Sequence, residues 1–271
     1  MHERREIANK LQGETLVRKG LFDRYNGRPL MRIVPELNVI KIGGHGIIDY
    51  GRDVVLPLVE EIGALSKNNK ILLITGGGVR VRHIMDIGLD LGMPTGVLAE
   101  LTSKISEQNA IMMATLLAPF KGKRIHTSDL LEIPTLLGMG ALPVTHGTPP
   151  YSLYEHPSER SNGGIPPHRT DTGAFLAAEV LGARSCILAK NVDGLYDKHP
   201  FKYPDAKLIP DISASELIAM NMEDLVIERK LIELMLECRN VKQIQIVNGH
   251  KPGMITRAIN GEKIGTIIRA E

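Results

Sequence analysis

The sequence predicts an α/β protein in which helices cover both faces of a mostly parallel central sheet. Two observations lead to this fold class. Apolar, β-branched runs alternate with stretches whose apolar residues recur at helical spacing, which is the pattern of parallel strands joined by crossover helices. Two of the strand-like runs also end in consecutive glycines, at residues 43–44 and 76–78, as expected where a ligand meets the carboxyl edge of such a sheet.

The predicted elements follow one another in a regular order. Strands are expected at residues 37–42, 70–75, 142–145, 186–189, 244–247 and 265–268. Helices are expected at residues 53–66, 80–91, 107–118, 172–181 and 225–238, with Gly-Met-Pro at 92–94 and Gly182 as stop signals. Residues 145–170 are rich in Pro, Gly, His and Ser, and a loop of that length in a compact domain is usually functional or mobile.

The domain organisation is predicted to be simple. Residues 1–30 form a polar arm with a poor apolar stripe, which is expected to fray or to pack on another subunit. Residues 31–271 form one regular domain, large enough to bury a core without disulfide or metal cross-links.

The composition excludes several classes of protein. The chain has 271 residues, of which 43% are hydrophobic and 24% charged, with a net charge of +2. These values argue against disorder and, because the basic residues form no run, against a dedicated nucleic-acid binder. Cys186 and Cys238 are expected to be reduced structural thiols. No apolar stretch approaches transmembrane length, so no membrane partner is expected. A charged N-terminus without an apolar segment predicts a cytoplasmic protein.

The glycine runs at the two strand ends are the first candidate site. Glycine lets backbone N–H groups approach phosphate oxygens, and Lys41 would add a point charge just before the first run. Lys41 precedes its glycines, so the pattern is neither a Walker loop nor a GxGxxG fingerprint. Each run taken singly also fits a tight strand-to-helix turn, but together they favour phosphate binding.

Three further segments complete the pattern. Thr170 or Asp171 would cap the helix that follows, so capping is an alternative role for Asp171. A turn centred on Asp193-Gly194 follows the fourth strand. Residues 248–253 and 261–266 form the last segment, which is expected to turn back before the final strand.

Taken in this order, the segments resemble the amino-acid-kinase family, and in particular bacterial uridylate kinase, across residues 31–269. Thr170-Asp171-Thr172 is similar to the family's Thr-Asp-Thr segment, and residues 191–196 are similar to its nucleotide segment. The resemblance implies an amino-acid-kinase-like three-layer sandwich that binds ATP.

Four stretches are similar to the molybdenum storage proteins, a uridylate-kinase-like group with two subunit types. These stretches are residues 78–83, 147–151, 165–175 and 245–249. The resemblance implies a homo- or hetero-hexamer that uses MgATP to deposit molybdate or tungstate as oxide clusters in a closed cavity. The arm at 1–30 is similar in kind to the N-terminal extension of that group.

The resemblance also implies roles for residues at matching positions. Lys41 and Asp171 are the implied catalytic residues, with Lys41 facing the transferred phosphate and Asp171 orienting lysines at the metal–phosphate site. The implied ligands of ATP and its phosphates are Gly43, Gly44, Gly76, Gly77, Gly78, Lys190, Asp193 and Tyr196. Mg²⁺ would bridge the phosphates, and no covalent intermediate is implied.

The part of the site that would bind the oxyanion, or another acceptor of the ATP phosphate, is called the acceptor side. It is expected to hold basic residues and histidines, with one carboxylate. Its predicted members are Arg80, Arg82, Glu107, His156 and His168. The arginines suit a small anion, histidines can bind oxyanions when protonated, and Glu107 partly replaces the Asp that holds uridylate in the kinases. For any one histidine, an ordinary packed or solvated side chain is the alternative.

Two differences from these relatives concern the molecule that would accept the phosphate. Uridylate kinases have Gly-Gly-Gly-Asn followed by Arg-Gly, where this sequence has Val79 and His83. One subunit type of the storage proteins has three histidines after Pro-Pro-Tyr, where this sequence has Ser-Leu-Tyr at 152–154. The sequence therefore favours an ATP-dependent storage subunit. Its alternatives are a UMP kinase and a nucleotide-binding partner subunit without turnover.

Overall fold

The computed structural model describes residues 30–149, 152–155 and 163–271. Residues 32–271 form one compact unit. The arm predicted at 1–30 lies almost entirely outside the described residues, and so does part of the irregular segment predicted at 145–170.

Ten strands and eight α-helices make up the described part of the chain. The strands are β1 (Asn38–Ile42), β2 (Ile71–Thr75), β3 (Gly122–Arg124), β4 (Leu142–His146), β5 (Ser185–Lys190), β6 (Leu195–Tyr196), β7 (Leu208–Ile209), β8 (Asp211–Ser213), β9 (Gln243–Asn248) and β10 (Thr266–Arg269). The helices are α1 (Arg52–Leu65), α2 (Val79–Asp90), α3 (Thr95–Leu116), α4 (Ile133–Gly138), α5 (Thr170–Leu181), α6 (Ala214–Ala219), α7 (Arg229–Glu237) and α8 (Met254–Ile259). Short 3-10 turns occur at Ile48–Tyr50, Ala118–Phe120, Thr127–Glu132 and Ser152–Tyr154.

Eight of these strands form the central sheet, in the order β3-β4-β2-β1-β5-β9-β10-β8. Every neighbouring pair is parallel except β9 and β10, which are antiparallel. The predicted mostly parallel sheet is therefore confirmed. Strands β6 and β7 form a separate antiparallel pair beyond the end of β5.

The core consists of two apolar layers, one on each face of the sheet. Alternate residues of a strand point to opposite faces, so in β2 Leu72 and Ile74 join one layer while Leu73 joins the other. Helices α4, α5, α6 and α7 cover the first face, and α1, α3 and α8 cover the second. This is the predicted three-layer sandwich. The central strands are apolar throughout because both of their faces are buried.

The boundaries of two predicted helices are wrong. Helix α3 begins at Thr95, well before the predicted start at 107, and the buried Ser103 and Ser106 interrupt its apolar stripe. Helix α7 begins at Arg229 and not at 225, because the preceding residues lead into a cap for another helix. The short elements β3, β6, β7, β8, α4, α6 and α8 were not predicted.

The remaining compositional expectations concern cysteines and membrane spans. Cys186 and Cys238 are both free thiols, as predicted, and burial raises the pKa of Cys186 to about 12. Among the described residues, no helix combines the length and the apolar character that a bilayer crossing requires.

Candidate functional site

The carboxyl ends of β1, β2 and β5 meet at a cavity of about 850 Å³. Its walls include both glycine runs, the end of β5 and the start of α5. Of the predicted site residues, those that line it are Lys41, Gly43, Gly44, Gly76, Gly77, Gly78, Arg82, His168, Lys190 and Tyr196. The structure thus brings together residues that are widely separated in the sequence, at the edge of the sheet where ligands of α/β proteins bind.

Asp171 lies in the first turn of α5 and bridges two lysines. Its Oδ2 accepts a hydrogen bond from Lys190 Nζ at 2.6 Å, and its Oδ1 forms an ion pair with Lys41 Nζ, also at 2.6 Å. The Asp171 and Lys41 side chains are each 5% exposed. The three charges therefore form a buried triad at the floor of the cavity.

The pKa values of the triad reflect burial and charge. Burial raises the pKa of Asp171, but the charges of Lys190 and Lys41, with their hydrogen bonds, outweigh it and hold that pKa well below its usual range. Burial lowers the pKa of Lys190, and Asp171 partly offsets this effect. One carboxylate between two ammonium groups leaves a net positive charge, which suits a phosphate.

Neither Thr170 nor Asp171 is the cap of α5, contrary to the prediction. The N-terminal cap position is held by Arg169, whose side chain makes no capping bond. The carboxylate of the buried Glu228 accepts hydrogen bonds from the backbone N–H groups of Arg169, Asp171 and Thr172 at 3.2, 2.9 and 2.9 Å. Glu228 thus satisfies the helix terminus and leaves the Asp171 carboxylate to the lysines.

The two glycine runs lie against each other. A Cβ atom on Gly44 would lie 2.0 Å from Gly78 N and 2.5 Å from the Gly77 carbonyl carbon, so only glycine fits at position 44. Gly76 donates its N–H to Ile42 O at 3.0 Å, which ties the two strand ends together. The runs therefore form one continuous backbone surface beside Lys41, as a phosphate cradle requires.

The N-terminus of α2 already has a carboxylate partner. Asp49, in the turn after β1, accepts a hydrogen bond from Val79 N at 2.7 Å, and Gly78 reaches this position with a φ of 81°. Asp49 N in turn donates to Gly44 O at 2.8 Å. An acidic side chain therefore occupies one of the α2 donors that an anion would otherwise use.

The turn after β5 forms the opposite wall. Tyr196 lines the cavity, whereas Asp193 does not. Asp193 Oδ1 accepts a hydrogen bond from Asn248 Nδ2 at 2.9 Å and pairs with Lys251 Nζ at 2.6 Å. These hydrogen bonds, that from Lys251 first, lower the pKa of Asp193. Asp193 thus links the turn after β5 to residues 248–251, and it supports the cavity wall without lining the cavity.

The predicted acceptor-side residues separate into groups. Arg82 and His168 line the cavity, and His168 Nδ1 lies 2.8 Å from Glu155 Oε1. Arg80 donates from Nη1 to Gln108 Oε1 at 3.0 Å and does not line the cavity. Glu107 also lies outside the cavity lining, and His156 falls outside the described residues.

Several lining residues were missed by the sequence analysis. They are Arg169, Lys198, Lys202 and Glu228. Among the described residues that line the cavity, six are lysine or arginine and two, Asp224 and Glu228, are acidic. Arg169 adjoins a recognised motif and could have been found by that signal. Lys198 likewise adjoins the nucleotide segment at 191–196, whereas Lys202 lies beyond any recognised motif.

Comparison with known proteins agrees with this geometry. A model of the amino acid kinase family matches residues 36–248. The molybdenum storage protein subunit beta of Azotobacter vinelandii is 44% identical over 239 residues, which cover 88% of each chain. A uridylate kinase of Methanocaldococcus jannaschii is 31% identical over 184 residues, or 64% of this chain and 74% of that protein.

Solved structures show the same fold at low sequence identity. The uridylate kinase of Archaeoglobus fulgidus has a TM-score of 0.66 at 22% identity, covering 85% of this chain and 99% of that one. The UMP kinase of Bacillus anthracis has a TM-score of 0.67 at 17% identity, covering 88% and 97%. With the family model spanning both glycine runs and the buried triad, the chain belongs to the amino acid kinase family.

Proposed function

We propose that this chain is an ATP-binding subunit of a molybdenum or tungsten storage assembly. It uses MgATP to deposit molybdate or tungstate as oxide clusters inside an oligomer. The observation that carries the proposal is the buried Lys41–Asp171–Lys190 triad beside a double glycine cradle, in a chain 44% identical to a molybdenum storage subunit.

The cavity has the size and charge that a nucleoside triphosphate needs. Its volume of about 850 Å³ lies within the range usual for sites that enclose small ligands. The glycine runs would donate backbone N–H groups to the phosphates, and Tyr196 would line the ATP side with Lys190. Lys41 would face the terminal phosphate. Its positive charge would stabilise the negative charge that develops as the bond between that phosphate and the leaving ADP breaks.

Mg²⁺ would enter with the nucleotide. The described carboxylates around the glycine runs are already engaged: Asp49 by the Val79 N–H, Asp171 by two lysines and Glu228 by three backbone N–H groups. Mg²⁺ often keeps several waters and takes its remaining ligands from substrate phosphates, so this donor set fits a MgATP complex better than a resident ion. The ion would neutralise phosphate charge, while the lysines position the terminal group.

The acceptor side supports an inorganic oxyanion. Arg82 and His168 line the cavity and can bind a small anion, whereas Arg80 and Glu107 lie outside it. Asp49 occupies a donor of α2 that a nucleoside monophosphate could otherwise use. A relative 44% identical to this chain is named as a subunit, and the resemblance implies a homo- or hetero-hexamer in which the arm at 1–30 lies at subunit contacts.

UMP kinase activity is the second candidate. It is favoured by the relatives named uridylate kinase, one of them 31% identical, and by the cationic floor that phosphoryl transfer requires. A third role, a nucleotide-binding partner without turnover, would need Lys41 and Asp171 only as structural charges.

Nucleotide turnover with metal analysis separates these functions. Purified full-length protein is incubated with MgATP alone, with UMP, and with molybdate or tungstate. ADP and UDP are then measured, followed by the metal content of the desalted protein and its mass by light scattering. UMP-independent ADP release with many metal atoms retained per chain supports storage. UMP-dependent ADP release with UDP formation would establish a UMP kinase, absence of any turnover would point to the partner subunit, and a monomer would contradict the assembly.

A further inference from the structure

Three potential metal ligands converge at one edge of the central sheet, outside the phosphate cavity. They are Glu107 of α3, His126 just after β3, and His146 at the end of β4. Each offers a ligand atom, and these atoms all lie within 4.8 Å of one another. None of the three lines the 850 Å³ cavity.

The topology of the sheet forces the two histidines together. Strands β3 and β4 are parallel neighbours, with Arg124 paired to Val144. The ladder continues through Ile125 N, which donates to Val144 O at 2.9 Å, so His126 and His146 follow at the same level. Their ring centroids are 6.1 Å apart and the rings are nearly perpendicular, at 82°.

Hydrogen bonds orient both imidazoles by the same ring nitrogen. His126 Nδ1 lies 2.8 Å from Ser128 Oγ, and His146 Nδ1 accepts from Thr148 N at 3.3 Å. Ser128 Oγ can accept the Nδ1 proton of His126, which leaves the lone pair of its Nε2 for an ion. His146 Nδ1 is an acceptor, so the proton on its Nε2 must be displaced, with loss of the long 3.3 Å contact to Thr148 N, when an ion binds there. An outer contact such as that of His126 with Ser128 fixes the ring of a metal-binding histidine.

The carboxylate of Glu107 is held by two basic side chains. Its Oε1 pairs with Arg124 and its Oε2 lies 3.6 Å from Lys104 Nζ. The Lys104 contact is long and more than half of that lysine side chain is exposed, so Oε2 is the oxygen that an incoming cation can take. Arg124 would then keep the other oxygen and hold the carboxylate in place.

We propose that Glu107, His126 and His146 bind one divalent transition-metal ion of the zinc and cobalt class. Two imidazole nitrogens with one carboxylate oxygen suit these ions, whereas Mg²⁺ and Ca²⁺ prefer oxygen ligands alone. Three protein ligands leave at least one coordination position open. That position can face a second cavity of about 500 Å³, which His146 lines together with Thr145 and Thr148.

Cobalt spectroscopy on the full-length protein tests this site. The protein is stripped of metal and nucleotide and titrated with Co²⁺, and the visible absorption of the bound ion is followed. We expect saturable binding of about one Co²⁺ per chain and its displacement by Zn²⁺. Because no nucleotide is present, failure here would leave the proposed ATP-dependent function untouched.

Single substitutions locate the ion. Glu107→Gln and His126→Gln are each expected to weaken Co²⁺ binding by at least ~10-fold, since even outer contacts of metal ligands contribute that much. His83→Gln, on the exposed surface of α2, is the matched control and should bind as the wild type does. Both ligand positions are only partly buried, and thermal unfolding of the metal-free variants verifies that they fold. Absence of saturable binding, or equal affinity in the wild type and both ligand variants, would overturn the proposal.

Discussion

Asp171 is the residue on which the charge balance of the site depends. Its carboxylate is the shared partner of Lys41 and Lys190, both of which are largely removed from water. Removing one member of a buried ionic group leaves an uncompensated charge, which costs more than the group contributes as a whole. The arrangement that holds two buried lysines on one carboxylate therefore makes this part of the cavity sensitive to substitution and to acid.

Asp171→Asn is expected to lower the free energy of unfolding by about 3–5 kcal/mol near neutral pH, because two buried lysines lose their anion. The folded-state pKa of Asp171 lies below its ordinary value of 3.8. Its stabilising contribution is therefore complete above that value and is lost as the pH falls below it. Urea unfolding of both proteins at about pH 6 and about pH 3 should show a difference that shrinks in acid. A difference that is the same at both pH values would show that the carboxylate charge is not its source.

Lys41→Ala is expected to reduce ATP turnover by about 100-fold or more, since a charge aimed at the transferred group acts mainly in the transition state. Folding should suffer less, because Asp171 keeps Lys190 as its partner. Lys70→Ala is the matched control, since Lys70 immediately precedes β2 and its side chain is 45% exposed. ADP release and thermal unfolding are measured for both variants. Turnover as fast in Lys41→Ala as in the control would remove Lys41 from the chemistry.

At the scale of elements, the contact between the two glycine runs is what shapes the cradle. The strand ends of β1 and β2 come so close that Gly44 has no room for a side chain beside Gly77 and Gly78. The obstructing atoms belong to the backbone and cannot rotate away. A methyl group there would push the runs apart.

Gly44→Ala is expected to destabilise the protein by about 1–3 kcal/mol, as overpacking does, and to weaken MgATP binding because the cradle opens. Gly138→Ala is the control, because Gly138 lies in α4 and a Cβ there would meet nothing within 4 Å. That variant should be neutral or slightly more stable. Urea unfolding and calorimetric titration with MgATP measure both effects. Wild-type affinity in Gly44→Ala would show that the phosphates bind elsewhere.

The sequence predicted the central elements well because their signals are local. The strand ends with glycine runs lie where apolar periodicity and glycine place them, at β1 and β2. The role of Glu228 could not be predicted in this way. It accepts hydrogen bonds from the first turn of α5 although it lies 57 residues after Asp171, and no local sequence pattern marks it. The helix predicted at 107–118 was too short because Ser103 and Ser106, although buried, are polar and interrupt the apolar periodicity of α3.

At the scale of the whole molecule, the cavity joins parts of the chain that are remote in sequence. The glycine runs come from the first half, and the triad partners Asp171 and Lys190 come from the second. A ligand that contacts both halves of the sheet binds the folded state and not the unfolded chain. Its binding must therefore raise the stability of the protein as a whole.

MgATP at 100 times its dissociation constant is expected to stabilise the wild type by about 2.7 kcal/mol, which corresponds to a rise in Tm of roughly 5–10 °C for a domain of this size. UMP at the same concentration should leave the Tm unchanged, because Asp49 occupies a donor at the start of α2 and Arg80 and Glu107 lie outside the cavity. Lys41→Ala should respond to MgATP almost as the wild type does, because its charge is expected to act mainly in the transition state. Differential scanning calorimetry of the full-length protein measures all three. A rise in Tm with UMP would favour a nucleoside monophosphate acceptor, and no rise with MgATP would refute nucleotide binding itself.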